Sequence, residues 1–457
     1  VRNYKNFLET IAAATNKKNP FNCFFPVHKM NAHRTIASGY LREWPTIGAC
    51  NCEHKVIVGR DNAFTMRYIP HRMRIITSSG DLTSACQHLS TNDFVAVDTE
   101  FMREQTFWPQ LCLIQLAVPG DALIIDPLAK GIDLAPFWDL MGNEDVVKVF
   151  HAARQDIEIV FAKTGLVPHP VFDTQIAAMV CGFGESISYV NLVKKVTGAD
   201  LDKSSRFTDW SRRPLSEKQL KYALADVTHL RDIYDHLKRE LEVSSRSAWL
   251  KEEMGVLTDP ATYESHPENA WQRLKLRVRN RKSLAVLIEL AAWRERQAQA
   301  QNVPRSRILR DEALYDIANQ APTTTDKLSE LRTLSQGFSR SARAKEIIEA
   351  VKLGLARDVK TLPPINHGQQ LSAGAAALID LLRVLLKASA ARHKVAPRLI
   401  AGSSDLERIA LEAEPDIPAL KGWRRRLFGE DALRLKRGEI ALTLDSGEVV
   451  ATEVSKS

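Results

Sequence analysis

The chain has 457 residues, 44% of them hydrophobic and 26% charged, with a formal net charge of +8. That length exceeds the ~250–300 residues that one hydrophobic core usually serves, so a single-core molecule is excluded and two or three domains are expected. Six scattered cysteines are too few for a disulfide framework and fit a reducing cytoplasm, and no apolar run reaches the ~18 residues of a membrane span.

The N-terminus lacks the charged-then-apolar layout of a secretory signal. Residues 1–72 show no sustained periodicity and are read as an N-terminal extension of uncertain or non-native origin, with Met73 as the expected natural start. Cys23, Cys50, Cys52, His28 and His54 match no familiar structural zinc spacing and are read as incidental.

Residues 73–240 alternate short apolar strands with amphipathic helices. Phe94–Val97, Leu113–Leu116, Ala122–Ile125, Val146–Phe150 and Val171–Phe172 read as strands; 153–163, 174–181 and 217–239 read as helices. This is the pattern of an α/β domain with a mixed central sheet. Residues 241–279 read as a linker, punctuated by Pro260 and Pro267 and ending in a basic run from Arg273 to Arg279.

Residues 280–355 read as entirely helical, with Leu284, Leu287, Ile288 and Ala291 on one face and Asp311 and Asp326 as candidate caps. Beyond Pro363-Pro364, residues 366–440 partly repeat this pattern, with Leu378, Leu381, Leu382 and Leu385 as an apolar stripe. Residues 441–457 read as a C-terminal tail. The basic balance suits a polyanionic partner, because Lys and Arg gain by displacing counterions from phosphates. A solvated basic surface explains the charge alone equally well.

The chemical signal is a set of carboxylates. Asp98 and Glu100 follow a buried strand at i and i+2, so they share a face and repel unless a cation joins them. Asp156 falls at the start of a helix, and Tyr222 and Asp226 lie four residues apart on one helix face. Each alone has a bland reading, as a solvated charge or a core contact; the ordered set carries the weight.

This set resembles the DEDD exonuclease superfamily, whose motifs are D-x-E, an acidic residue on a helix, and a Tyr or His before a final Asp. Tyr222 four residues before Asp226, with Lys221 where the other subclass has His, resembles the tyrosine subclass. The stretches Trp108–Gln115, Asp173–Gln175, Asp209–Ser216 and Gln219–Val227 are similar to the ribonuclease D family. Trp293–Glu295, Asn302–Arg305 and Ile308–Glu312 are similar to the HRDC helical domain, and 366–440 looks like a more diverged copy.

The resemblance implies a ribonuclease H-like exonuclease domain followed by one or two HRDC domains. It implies 3′→5′ hydrolysis of RNA to 5′-nucleoside monophosphates, with transfer-RNA precursors as substrates, by a monomer. Asp98, Glu100, Asp156 and Asp226 would hold two Mg²⁺ or Mn²⁺ ions, for which carboxylate oxygens are suitable ligands. Tyr222 would orient the attacking water or accept its proton. Phe101, Met102 and His151 are weaker substrate-contact candidates, with core packing or a structural hydrogen bond as their alternatives. A 3′→5′ DNA exonuclease and an inactive nucleic-acid-binding module remain as competing readings.

Overall fold

The computed structural model describes residues 56–58, 64–66, 74–202, 204–275, 277–335, 337–363 and 372–455. The expected start at Met73 and the cysteines and histidines before it lie outside them. The described residues divide into two units, one with 56–58, 64–66, 74 and 119–122, the other with the remainder. In the first, strands β1 (Val56–Val58) and β2 (Phe64–Met66) pair antiparallel.

A six-stranded mixed sheet centres the nuclease-like domain, in the order β3-β6-β5-β4-β7-β8. Its strands are β3 (Arg74–Ile76), β4 (Phe94–Met102), β5 (Gln110–Val118), β6 (Asp121–Ile125), β7 (Val147–Phe150) and β8 (Val171–Asp173). β4 pairs antiparallel with β5 and parallel with β7, and β7 pairs parallel with β8. Its helices are α1 (Ser79–Leu89), α2 (Ala135–Gly142), α3 (Arg154–Thr164), α4 (Thr174–Val180), α5 (Tyr189–Thr197) and α6 (Glu217–Val243). α6 starts with a reciprocal capping box between Ser216 and Gln219 and packs on β4 and β5.

Three sequence readings change. Asp98 and Glu100 lie within β4 rather than after it, because the β4–β5 ladder continues to Met102 through a register shift between Glu100 and Phe101. Such a bulge bends the strand and re-aims its side chains. The expected linker contains α7 (Ser247–Leu257), whose Leu250, Met254 and Leu257 join the nuclease core. The C-terminal tail contains an antiparallel hairpin of β9 (Ile440–Asp445) and β10 (Glu448–Glu453).

The first helical region has α8 (Arg281–Gln301), α9 (Arg305–Ile308), α10 (Asp311–Gln320), α11 (Thr325–Ser329) and α12 (Ala342–Ala356). Its core is its own, and Phe107 of the nuclease domain plugs into it. Asn302 Oδ1 accepts from the Phe107 and Trp108 amides at 3.1 and 3.0 Å, fixing that loop to the end of α8. Neither expected cap holds: Asp311 is the first residue of α10 and pairs with Arg294, while Thr324 caps α11.

The second helical region has α13 (Ala373–His393), α14 (Pro397–Ile400), α15 (Ser403–Leu411), α16 (Gly422–Arg424) and α17 (Glu430–Lys436). Its Leu382 and Leu385 are buried, but Leu381 of the expected stripe is exposed. Its core is continuous with that of the nuclease domain. Trp423 stacks on Trp249 with ring centroids 4.4 Å apart, and Arg424 pairs with Glu252 and Glu253 of α7.

The Arg424 side chain is only 9% exposed. Removing it strands the Glu253 carboxylate in a half-buried site without its counter-charge. Arg424→Ala is therefore expected to cost about 3 kcal/mol, read as a lower guanidinium-chloride midpoint. An unchanged midpoint would show that this docking contributes nothing to stability.

Candidate active site

The site is built on the central strand. Residues opposite one another in an antiparallel ladder share a face, so Asp98, facing Gln115, and Glu100, facing Leu113, project together. α6 crosses that face and brings Asp226 to them. One carboxylate oxygen from each of Asp98, Glu100 and Asp226 lies within 4.8 Å of the others. Tyr222 lies one turn earlier on α6, and its hydroxyl favours the charged form of the Asp226 carboxylate.

Asp156 sits in the first turn of α3 and is buried. Its Oδ1 accepts from the Thr99 hydroxyl at 2.5 Å. Its position is set indirectly by Asp173, whose carboxylate accepts from the Ala152 and Ala153 amides before α3 and from Gln175 and Ile176 at the start of α4. A single side chain thus ties the β7–α3 turn to the β8–α4 turn. The sequence offered Asp173 as part of a family segment; its capping of two turns needed the fold.

Burial is the main force on every acid here. It holds the Asp98 carboxyl well above its ordinary range, with further repulsion from Asp226, Asp156 and Glu100. Glu100 is pushed up to about 9 by burial and by Asp226 and Asp156, against the opposing charge of Arg206. Asp156 is pushed up to about 7 by burial, against the Thr99 hydrogen bond. Asp226 likewise reaches about 7, against the Tyr222 hydroxyl and Arg206. Tyr222 is pushed upward by burial and these carboxylates, which keeps its hydroxyl protonated.

These acids fit divalent cations. Hard oxygen donors are what Mg²⁺ and Mn²⁺ take, and among the described residues Arg206 is the positive charge that acts on these concentrated carboxylates. The Gln115 amide, fully buried opposite Asp98, has no partner for either polar atom, a further group open to a ligand or water at this face.

The weaker candidates separate from this cluster. Phe101 packs against the hydrophobic core, and Met102 is half-buried at the end of β4. Thr174 donates its own hydroxyl hydrogen to the Phe150 carbonyl, so the 3.0 Å contact makes His151 Nδ1 the donor to Thr174. His151 Nε2 is then the unprotonated nitrogen, buried without a partner. Burial lowers the His151 pKa, so the ring is neutral.

Thr99, Tyr189 and Arg206 were missed in the sequence. Thr99 has one detectable signal, its place between the two acids of the D-x-E pair. Tyr189, half-buried, donates to the Ala225 carbonyl at 3.0 Å and so braces the turn of α6 before Asp226. Arg206 acts across space from the loop before α6, which no local pattern reveals.

The direction of these shifts predicts the pH response. The native protein holds these protons more tightly than the unfolded chain does. Their contribution to stability is full below the ordinary carboxylate range, near pH 4, and is lost as pH rises through 7 to 9. Asp226→Asn is expected to raise the melting temperature of cation-free protein at pH 8 by about 2–4 °C. It should also reduce the further rise that Mn²⁺ gives the wild type. Equal melting temperatures at pH 8, with an undiminished Mn²⁺ response, would contradict the charge crowding.

Residues 73–242 match the model of a 3′-5′ exonuclease family, and residues 283–351 match that of the HRDC domain. A ribonuclease D of Nitrobacter hamburgensis is 54% identical over 383 residues, covering 84% of this chain and 100% of the relative. A ribonuclease D of Bartonella henselae is 50% identical over 378 residues, covering 82% and 93%. The crystal structure of Escherichia coli RNase D, described as an exoribonuclease involved in structured RNA processing, matches with a TM-score of 0.69 at 28% identity, over 80% of this chain and 99% of that one. With half its residues shared along the whole length of a curated relative, and both of its domain types recognised, the chain belongs to the ribonuclease D family.

Proposed function

We propose that this chain is a 3′→5′ exoribonuclease that releases 5′-nucleoside monophosphates from structured RNAs, transfer-RNA precursors among them. The observation that carries this reading is the trio of Asp98, Glu100 and Asp226 oxygens within 4.8 Å, with Tyr222 one helical turn from Asp226. Exonucleases of this family use divalent metal ions. In our reading Asp98, Glu100, Asp156 and Asp226 would hold two of them, Mg²⁺ or Mn²⁺. No helix among the described residues is long and apolar enough to cross a membrane. A monomer acting in the cytoplasm is the setting we propose.

Bound divalent cations supply the positive charge that stabilises the phosphoryl oxygens and lowers the pKa of the attacking water. The chain's own residues do the rest. Asp98 and Glu100, fixed by the β4–β5 ladder, and Asp226, fixed by α6, set the spacing of the charge. Asp156 would hold a cation as its carboxylate, while Thr99 holds one of its oxygens in place. Tyr222 is a protonated donor in the cation-free site and can orient the water or a phosphate oxygen.

The test is degradation of a 3′-tailed RNA with Mg²⁺ or Mn²⁺, beside EDTA, Asp98→Ala and a DNA of matching sequence. Stepwise 3′ shortening of RNA is expected, abolished by EDTA and by Asp98→Ala. Tyr222→Phe should lower kcat about 10²-fold with little change in KM. DNA degraded as well as RNA would shift the substrate class, and no degradation of either by folded protein supplied with cation would refute the reading.

A further inference from the structure

A cavity of about 270 Å³ lies between the nuclease domain and the first helical region, and four arginines line it. Arg103 follows the end of β4, and Arg154 opens α3, two residues before Asp156. Arg273 comes from the segment before α8, and Arg305 begins α9. Trp108 and Tyr263 give the walls aromatic surface, and the carboxylates of Glu158 and Glu264 also line the cavity.

Three of these guanidinium groups are held in place from behind. Arg103 grips Glu158 through two bonds of 2.9 and 2.7 Å. Arg273 and Arg305 share Glu295, whose side chain is 1% exposed, at 2.9 and 2.5 Å. A guanidinium has five N–H donors, so each arginine keeps donors beyond those that fix it. Arg305 is also stacked over Phe107 at 4.5 Å, and Phe107 is locked by the Asn302 bond described above. Arg154 is exposed and makes no ion pair or hydrogen bond among the described residues.

Fixed arginines with spare donors, beside an unpaired fourth and aromatic walls, suit a phosphate joined to a nucleotide. Charge-assisted bonds from planar guanidinium groups recognise phosphate oxygens well, and aromatic faces accept any base. The cavity also adjoins the strand and the helix that carry the catalytic acids. We propose that it is a subsite for the RNA backbone: it grips a phosphodiester on the 5′ side of the terminal nucleotide, so that the helical region and the nuclease domain hold the strand jointly. This rests on the exoribonuclease reading above, which places the 3′ end of the strand at the acids.

Arg154 is the residue to test, because replacing Arg273 or Arg305 would strip the buried Glu295 of a partner. Binding of the full-length protein to a long single-stranded RNA is measured by fluorescence anisotropy in EDTA, across a salt series, for wild type, Arg154→Ala and Arg154→Lys. Arg154→Ala is expected to weaken binding about tenfold and to reduce the slope of log K against log salt by about one; Arg154→Lys should restore the slope. With Mn²⁺, kcat/KM of Arg154→Ala should fall about tenfold more on the long RNA than on a dinucleotide.

Unchanged affinity and slope, or an equal loss on both substrates, would overturn the subsite. So would stabilisation by inorganic phosphate that requires Arg154 while RNA binding does not, since the cavity would then serve a free anion. Because the EDTA experiment needs no hydrolysis, a wild type that degrades nothing refutes the nuclease reading without deciding the binding result.

Discussion

Four carboxylic acids packed into one buried site cannot all be ionised without positive charge among them, and this constraint organises the nuclease domain. Each acid pays for desolvation, and the neighbours add repulsion. Arg206 and the hydroxyls of Thr99 and Tyr222 relieve part of it. Their shortfall makes the site receptive to divalent cations.

Such a cluster persists only where the surrounding structure determines it. β4 and β5 fix Asp98 and Glu100 through backbone pairing. Asp173 fixes the entry to α3 and hence Asp156, while the capping box and the Tyr189 bond to Ala225 set α6 and hence Asp226. Arg213 braces the segment before α6, with bonds to both Asp126 oxygens at 2.7 Å and to the Cys112 and Trp210 carbonyls. Rigid elements therefore carry the acids, and the helical regions are anchored around them through Asn302 on one side and the Trp249–Trp423 stack on the other.

Much of this was legible in the sequence for a physical reason. Period-two spacing puts Asp98 and Glu100 on one face, and period-3.6 spacing does the same for Tyr222 and Asp226. The strand cores were visible through their buried β-branched residues. Strand ends were less so: Asp98 and Glu100 read as polar terminators, whereas the ladder absorbs them by pairing and a bulge. α7 was hidden because its apolar face is short and is completed by residues distant in sequence, on α4 and β8 of the nuclease domain and at Trp423 of the second helical region. The β9–β10 hairpin was hidden because much of it is exposed, leaving little apolar alternation. Arg206 and the arginine-lined cavity arise from residues far apart in the chain, which local periodicity does not address.

The central claim is that buried acids hold protons which divalent cations displace. Calorimetric titration of Mn²⁺ into the protein, in two buffers of different ionisation enthalpy, counts the protons released. The account predicts release at pH 7 that diminishes toward pH 9.5, as Glu100 and its neighbours ionise unaided. Binding of Mn²⁺ at pH 7 with no proton release would contradict it.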